Sequence, residues 1–126
     1  MYTSELAKDT PIYRRECGKG NYHYQTIEVN VKETGAYGFS DINSAINMYG
    51  YIYEDAFDPF NPKKNLLADS KFRCDDHQFQ FTAYLQVNKT YELVVTTRNP
   101  NEQANFTIAV SGLNLVTLNR ISKFLN

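Results

Sequence analysis

Residue types that most often carry out chemistry are sparse in this chain of 126 residues, which has only two histidines and two cysteines. His77 follows Cys74 by three positions, and a thiol beside an imidazole is the arrangement of a cysteine nucleophile. Closeness along an acidic loop does not orient such a pair, and a solvated loop histidine is the commoner explanation. His23 lies in a predicted strand. No Gly-x-Ser-x-Gly, His-Glu-x-x-His, P-loop or dinucleotide-binding motif occurs. We therefore expect a protein that is not an enzyme and requires no cofactor.

Aspartates offer a second chemistry, because calcium takes six to eight oxygen ligands that often come from loop carboxylates and carbonyls. The acidic residues cluster in predicted loops, and folding could bring two clusters together at one end of a sheet. Solvated loop charge is the alternative. The candidate calcium ligands are Asp41, Asp55, Asp58, Asp69, Asp75 and Asp76.

Three tyrosines at alternate positions, Tyr49, Tyr51 and Tyr53, lie on one face of a predicted strand. If exposed, they suit carbohydrate or protein recognition, because the ring packs while the hydroxyl stays hydrated. The alternative is that they line a core between two sheets, leaving Met48 and Ile52 to face out or under a loop. We favour this second arrangement because tyrosine is abundant, with ten in the chain.

Asn88-Lys89-Thr90 and Asn105-Phe106-Thr107 are N-glycosylation sequons. Asn88 falls in a predicted hairpin turn, and Asn105 starts a strand on the face opposite Phe106. Both side chains are expected to be exposed, as glycan attachment requires. N-linked glycans follow if the chain is secreted by a eukaryotic cell.

Cys17 and Cys74 fit no zinc or redox spacing. They are either two buried thiols or a disulfide that ties the N-terminal segment to the middle of the chain, which requires an oxidising compartment. The start of the sequence lacks the basic-then-apolar layout of a signal peptide. The protein is therefore either intracellular or a mature or partial chain.

The elements that position these residues are predicted strands. Apolar residues alternate through residues 78–110 and predict three consecutive strands of one half-buried antiparallel sheet. Their inward sets are Phe79, Phe81, Ala83 and Leu85; Tyr91, Leu93, Val95 and Thr97; and Phe106, Ile108 and Val110.

Earlier in the chain, residues 22–32 and 36–40 predict a hairpin, with Gly35 available for a positive φ. Ile27, Val29 and Val31 face inwards on its first strand. Residues 46–54 are apolar on both faces, which predicts a strand covered on both sides. The irregular stretch 55–76 is long enough that it is expected to be functional or strongly held in place.

The strands and turns together predict an all-β fold, an antiparallel β-sandwich of jelly-roll or Greek-key type. Residues 22–112 form the sandwich domain, between an N-terminal arm (1–21) and a C-terminal tail or linker (113–126). The arm and tail contain apolar residues that could add a strand to a neighbour's sheet edge, so the expected partners are copies of the chain or tandem domains. Ordinary linkers are the alternative. Net charge is −1, so we expect no nucleic-acid partner, and no apolar run is long enough to span a membrane.

An ordered set of short motifs over residues 10–112 resembles extracellular repeat modules of small aquatic animals, themselves similar to bacterial pre-peptidase C-terminal (PPC-like) domains. The motifs are Thr10-Pro11-Ile12-Tyr13-Arg14-Arg15, Tyr22-His23-Tyr24-Gln25-Thr26-Ile27, Gly35-Ala36-Tyr37-Gly38-Phe39-Ser40, Tyr49-Gly50-Tyr51-Ile52-Tyr53, Phe57-Asp58-Pro59-Phe60-Asn61-Pro62, Asn65-Leu66-Leu67, Gln78-Phe79, Leu85-Gln86 and Thr90-Tyr91-Glu92-Leu93-Val94-Val95-Thr96-Thr97.

The resemblance implies an extracellular, PPC-like or Ig-like β-sandwich used for binding, adhesion or scaffolding, often in tandem. Members usually have a proline where Cys17 stands and a longer Asp- and Gly-rich loop before Gln78. Both departures introduce a cysteine here, which favours the disulfide. We expect a secreted or cell-surface structural or adhesive subunit that self-assembles into a fibril or forms one repeat of a larger protein. The alternative is a carbohydrate- or matrix-protein-binding module, with or without calcium.

Overall fold

The computed structural model describes residues 2–14, 20–42, 48–69, 79–97, 100, 102–112 and 116–121. These residues form ten β-strands and no helix, and every strand pair is antiparallel. The strands are β1 (Tyr2–Leu6), β2 (Ile12–Tyr13), β3 (Tyr22–Val31), β4 (Gly35–Ile42), β5 (Met48–Glu54), β6 (Leu66–Asp69), β7 (Gln80–Leu85), β8 (Tyr91–Thr97), β9 (Ala104–Gly112) and β10 (Val116–Ile121). The prediction of an all-β antiparallel fold is confirmed. Within the same ranges no helix has the length and hydrophobicity needed to cross a membrane.

The strands form two sheets that share one hydrophobic core. The smaller sheet has four strands in the order β1-β9-β4-β7. The larger sheet has the order β10-β3-β8-β5-β6, and β2 pairs with β3 beside this path. The core contains side chains from both sheets, including Ile27 and Leu93 of the larger and Phe39 and Phe106 of the smaller. This arrangement is consistent with a β-sandwich or a curled sheet.

The alternation of apolar residues predicted the inward faces correctly. On β7, Phe81, Ala83 and Leu85 are buried while the residues between them are exposed. The same agreement holds for β3, where Ile27, Val29 and Val31 enter the core. Burying a side chain such as Ile27, Leu85 or Phe81 stabilises the fold by roughly 1.5–3 kcal/mol. The strand predicted to be covered on both sides, β5, is buried from Met48 to Tyr53.

The partners of several strands differ from the prediction. The three consecutive strands β7, β8 and β9 do not form one sheet, because β8 belongs to the larger sheet and the other two to the smaller. The predicted hairpin of β3 and β4 is also wrong, since the chain crosses at residues 32–34 from one sheet to the other. Gly35 therefore does not serve a hairpin turn, and among the described glycines only Gly20 has a positive φ, at 103°. Alternation specifies which face is apolar, but it does not specify the neighbouring strand.

The described parts of both terminal segments are strands of these sheets. Strand β1 pairs with β9, while β2 and β10 both pair with β3. Leu6 and Tyr13 are buried, at 1% and 5% exposure. The domain prediction places the arm at 1–21 and the tail at 113–126 outside the sandwich domain, whereas their described residues are strands of the two sheets.

Candidate functional site

The tyrosines proposed for ligand recognition are buried on the outer side of the larger sheet. Tyr49, Tyr51 and Tyr53 are 3%, 3% and 1% exposed, so the favoured expectation that they are buried is confirmed and an exposed stripe is excluded. Their predicted place between the two sheets is wrong, because Met48 and Ile52 face that core instead. The tyrosines belong to a second cluster, which we name the outer aromatic cluster. Its members are Tyr13, Tyr22, Tyr24, Tyr49, Tyr51, Tyr53, Phe57 and Val94.

Phe57 is the residue from the loop at 55–65 that covers this cluster. Its ring centroid lies 5.3 Å from Tyr13, 5.3 Å from Tyr24 and 4.9 Å from Tyr53. The first two contacts are edge-to-face, an arrangement that the aromatic quadrupole favours. Tyr13, from β2, also packs edge-on against Tyr24 at 4.8 Å. Two segments distant in sequence therefore cover the same sheet face.

Hydrogen bonds hold the loop at 55–65 against the sheet. The backbone N–H of Phe57 donates to Oε1 of Glu92 at 2.9 Å, and Glu92 is only 7% exposed. The Tyr53 hydroxyl donates to the carbonyl of Pro62 at 2.7 Å, and Asn65 Nδ2 donates to the carbonyl of Ala56 at 3.0 Å. Of the two alternatives for the stretch 55–76, functional or strongly held in place, these bonds show the second for the part described. The groups that hold the loop are polar side chains and backbone atoms.

Alkaline pH is expected to destabilise the fold through this cluster. Burial raises the pKa of the Tyr24 hydroxyl above its ordinary value of 10.0, and the neighbouring Glu92 carboxylate raises it further. Above pH 10 the unfolded chain loses this proton while the folded chain keeps it, so the free energy of unfolding falls as pH rises from 10 to the folded-state pKa. Tyr24→Phe removes the ionisable group and should make this fall less steep in urea titrations.

The control for this prediction is Tyr84→Phe, which removes the hydroxyl of a tyrosine that is exposed on the smaller sheet. Its slope of unfolding free energy against pH above 10 should match that of the unaltered chain. An equally steep fall in Tyr24→Phe would show that Tyr24 is not a source of the alkaline sensitivity.

The candidate calcium ligands that the structure describes do not converge. Asp41 is buried on β4 of the smaller sheet, whereas Asp55 is exposed in the loop after β5. Asp58 Oδ1 accepts a hydrogen bond from the backbone N–H of Phe60 at 2.9 Å, and Asp69 ends β6. No three acidic, histidine or cysteine side chains in the described ranges lie close enough to hold a metal ion. Asp75 and Asp76 lie outside these ranges.

Two further candidates, Cys17 and Cys74, also lie outside the described residues, as does His77. The other histidine, His23, is a buried residue of β3. Its Nδ1 is 2.9 Å from the carbonyl oxygen of Thr10. The Thr96 hydroxyl donates to the His23 carbonyl at 2.6 Å. His23 therefore lies at a junction of three chain segments, where its contacts are structural.

Both sequon asparagines are exposed, as predicted. Asn88 has a φ of 72° in the turn between β7 and β8. This turn joins the two sheets, so the predicted hairpin turn is corrected. Asn105 lies on β9, opposite Glu5 of β1. The two attachment positions are accessible in the folded chain.

The surface that the sequence did not reveal is the outer face of the smaller sheet, which we name the small-residue face. Its side chains are exposed or half-buried and, apart from Glu5, uncharged. Thr3 and Thr107 hydroxyls lie 3.1 Å apart on neighbouring strands. The positions follow from the strand register, and they are Thr3, Glu5, Ala36, Gly38, Ser40, Ile42, Gln80, Thr82, Tyr84, Asn105, Thr107, Ala109 and Ser111. In the sequence these residues are the ones that alternate with the buried positions of four strands. They can be recognised as one surface only when the four strands are known to lie in the same sheet.

No protein-family model, curated protein or solved structure matches this chain.

Proposed function

We propose that this protein is a structural or adhesive β-sandwich subunit of extracellular type, which associates with copies of itself or with tandem neighbouring domains. The small-residue face is the observation that carries this proposal. The cores of protein–protein interfaces are depleted in charged residues and enriched in tyrosine. This face has one acidic residue, Glu5 at its margin, and one exposed tyrosine, Tyr84.

The burial of β5 and β8 of the larger sheet on both faces supports the same proposal. Strand β8 is buried at every position, with Leu93 in the inter-sheet core and Val94 in the outer aromatic cluster. The buried tyrosines leave no aromatic platform for a sugar at Tyr49, Tyr51 or Tyr53.

The jelly-roll or Greek-key, PPC-like or Ig-like class and the secreted or cell-surface location belong to the same proposal. They are supported by the motif resemblance and by the exposure of both sequons. N-linked glycans on Asn88 and Asn105 are part of it. The Asn105 glycan would stand at the Glu5 end of the small-residue face, and Asn88 at the turn after β7.

The proposal predicts ordered assemblies in material secreted from eukaryotic cells, measured by native mass spectrometry and electron microscopy. The same intact masses report whether Asn88 and Asn105 carry glycans. Ser40→Lys places a charge at the centre of the small-residue face, since Ser40 pairs with Ala109 on one side and Gln80 on the other. This variant should reduce assembly or adhesion.

Thr117→Lys is the matched control, because Thr117 is exposed on β10 of the larger sheet. It should assemble as the unaltered chain does. A chain that stays monomeric and is retained on a glycan array would overturn the structural proposal in favour of a binding module.

A further inference from the structure

Strand β7 is an edge strand of the smaller sheet in the described part of the chain, and it differs from the other edge strands. Exposed edge strands present unpaired backbone groups, and natural proteins protect them with charges, short length, proline or bulges. Strand β1 carries Glu5, and β10 carries Arg120 at a position opposite Ile27. Strand β2 has two residues, and β6 has four and a register shift against Ile52 and Tyr53.

Among the residues that the structure describes, strand β7 has none of these protections. Its six residues include no charge and no proline, and they pair with β4 without a register shift. Within the described part of the chain, β4 is its only partner. Strand β6 of the larger sheet comes near β7 but does not pair with it.

The direction of each backbone group on β7 follows from one hydrogen bond. The N–H of Asp41 donates to the carbonyl of Phe79 at 3.1 Å, in register with the pairing of Phe39 and Phe81. Opposed residues in an antiparallel pair alternate between hydrogen-bonded and non-hydrogen-bonded. The odd-numbered residues of β7 therefore bond to β4. The N–H and C=O groups of Gln80, Thr82 and Tyr84 point to the open edge.

We propose that a second copy of this chain pairs with β7 through a two-fold axis at Thr82, joining two four-stranded sheets into one. This inference rests on the proposed structural function and names its contact. In this register Thr82 faces Thr82 of the other copy, and Gln80 faces Tyr84. Every outward N–H and C=O group of these three residues then meets a complementary group.

The side chains fit the same register. Residues directly opposite in a sheet lie on the same face. The pairing places the exposed Gln80, Thr82 and Tyr84 together on the small-residue face, and Phe81 opposite Ala83 on the inner face. A shift by one residue would put exposed side chains opposite buried ones, so two-fold pairing at Thr82 satisfies both the hydrogen bonds and the faces.

Amide hydrogen exchange on the full chain tests the pairing directly. On going from dilute to concentrated protein, the amides of Gln80, Thr82 and Tyr84 should exchange about tenfold more slowly, because they gain partners. Those of Phe81 and Ala83 should be protected at both concentrations. Protection of the even-numbered amides already in dilute monomer would show that another segment of the same chain covers the edge, and would overturn the inference.

Substitutions provide the second test. Thr82→Lys sets two like charges opposite each other and should raise the dimer dissociation constant about tenfold in sedimentation experiments. Thr3→Lys is the control, because Thr3 is also exposed on the small-residue face but lies on the opposite edge strand. Equal effects of the two variants would assign association to the face and overturn the edge pairing, while leaving the proposed function standing.

Single cysteine substitutions distinguish association through the edge of β7 from association through the small-residue face, and they add no charge. Hydrogen-bonded partners in an antiparallel sheet have Cα atoms about 5.5 Å apart, within the range that a disulfide spans. Thr82→Cys should form a covalent dimer on oxidation, and Thr3→Cys should not. Assemblies that form without crosslinking at Thr82 overturn the edge pairing alone. A chain that is monomeric at every concentration overturns both the pairing and the self-association in the proposed function.

Discussion

Replacing Phe57 with alanine is expected to lower the free energy of unfolding by about 3–5 kcal/mol, the usual cost of deleting a buried aromatic ring. Phe57 is 3% exposed and contacts Tyr13, Tyr24 and Tyr53. Without its ring the outer aromatic cluster loses the side chain that bridges the loop to the sheet. Urea titration followed by circular dichroism measures the change.

The same loop supplies a matched control. Phe60 is three residues later and 90% exposed, so Phe60→Ala removes the same ring from water rather than from a core. Its unfolding free energy should stay within about 0.5 kcal/mol of the unaltered chain. If the two variants lost equal stability, the packing of Phe57 over the sheet would be wrong.

Replacing Gly50 with alanine is expected to cost about 1–3 kcal/mol, because the added methyl overpacks the core. A Cβ atom at Gly50 would lie 2.8 Å from Cδ1 and Cε1 of Phe79. Phe79 is 1% exposed and precedes β7 of the smaller sheet. Its ring therefore packs against the bare backbone of β5 in the larger sheet, and either the ring or the strand must move to accept a methyl group.

Gly38→Ala is the control, since the close contact of its Cβ atom is with the Ser111 hydroxyl at 2.8 Å and the Phe81 carbonyl oxygen lies at an ordinary 4.0 Å. Ser111 is exposed and its hydroxyl can rotate away, so this variant should lose little stability. The double variant Gly50→Ala with Phe79→Leu should cost less than the two single changes added together, by about 1 kcal/mol, because the smaller side chain relieves the clash. Strict additivity would contradict a direct contact.

Several features of the fold could be predicted from residue order. The inward positions of β3, β7, β8 and β9 follow from alternation, since successive side chains of a strand point to opposite faces. The burial of β5 on both sides follows from its apolar run, and the exposure of Asn88 from its place in a turn and of Asn105 from the strand face opposite Phe106. These are local properties, and a short stretch of sequence contains the information for each.

The functional surfaces could not be predicted in the same way. Tyr49, Tyr51 and Tyr53 share a face in any strand, but their environment depends on Tyr13 and Phe57 packing over them from separate segments. The small-residue face depends on β1, β4, β7 and β9 lying side by side. A search for chemically active residue types could not find it, because its members are mainly small and uncharged.

The sequence by itself determined that this protein is all-β, which residues face a core, and where glycans can be attached, because strand periodicity and sequons are local. Only the tertiary structure decided that β7 and β9 share a sheet without β8, that the tyrosines support a second core, and that β4 is the one partner of β7 among the described strands. Which strands pair depends on the arrangement that buries the inner faces of the two sheets at the same time. That choice depends on contacts between residues far apart in the chain, which no single segment encodes.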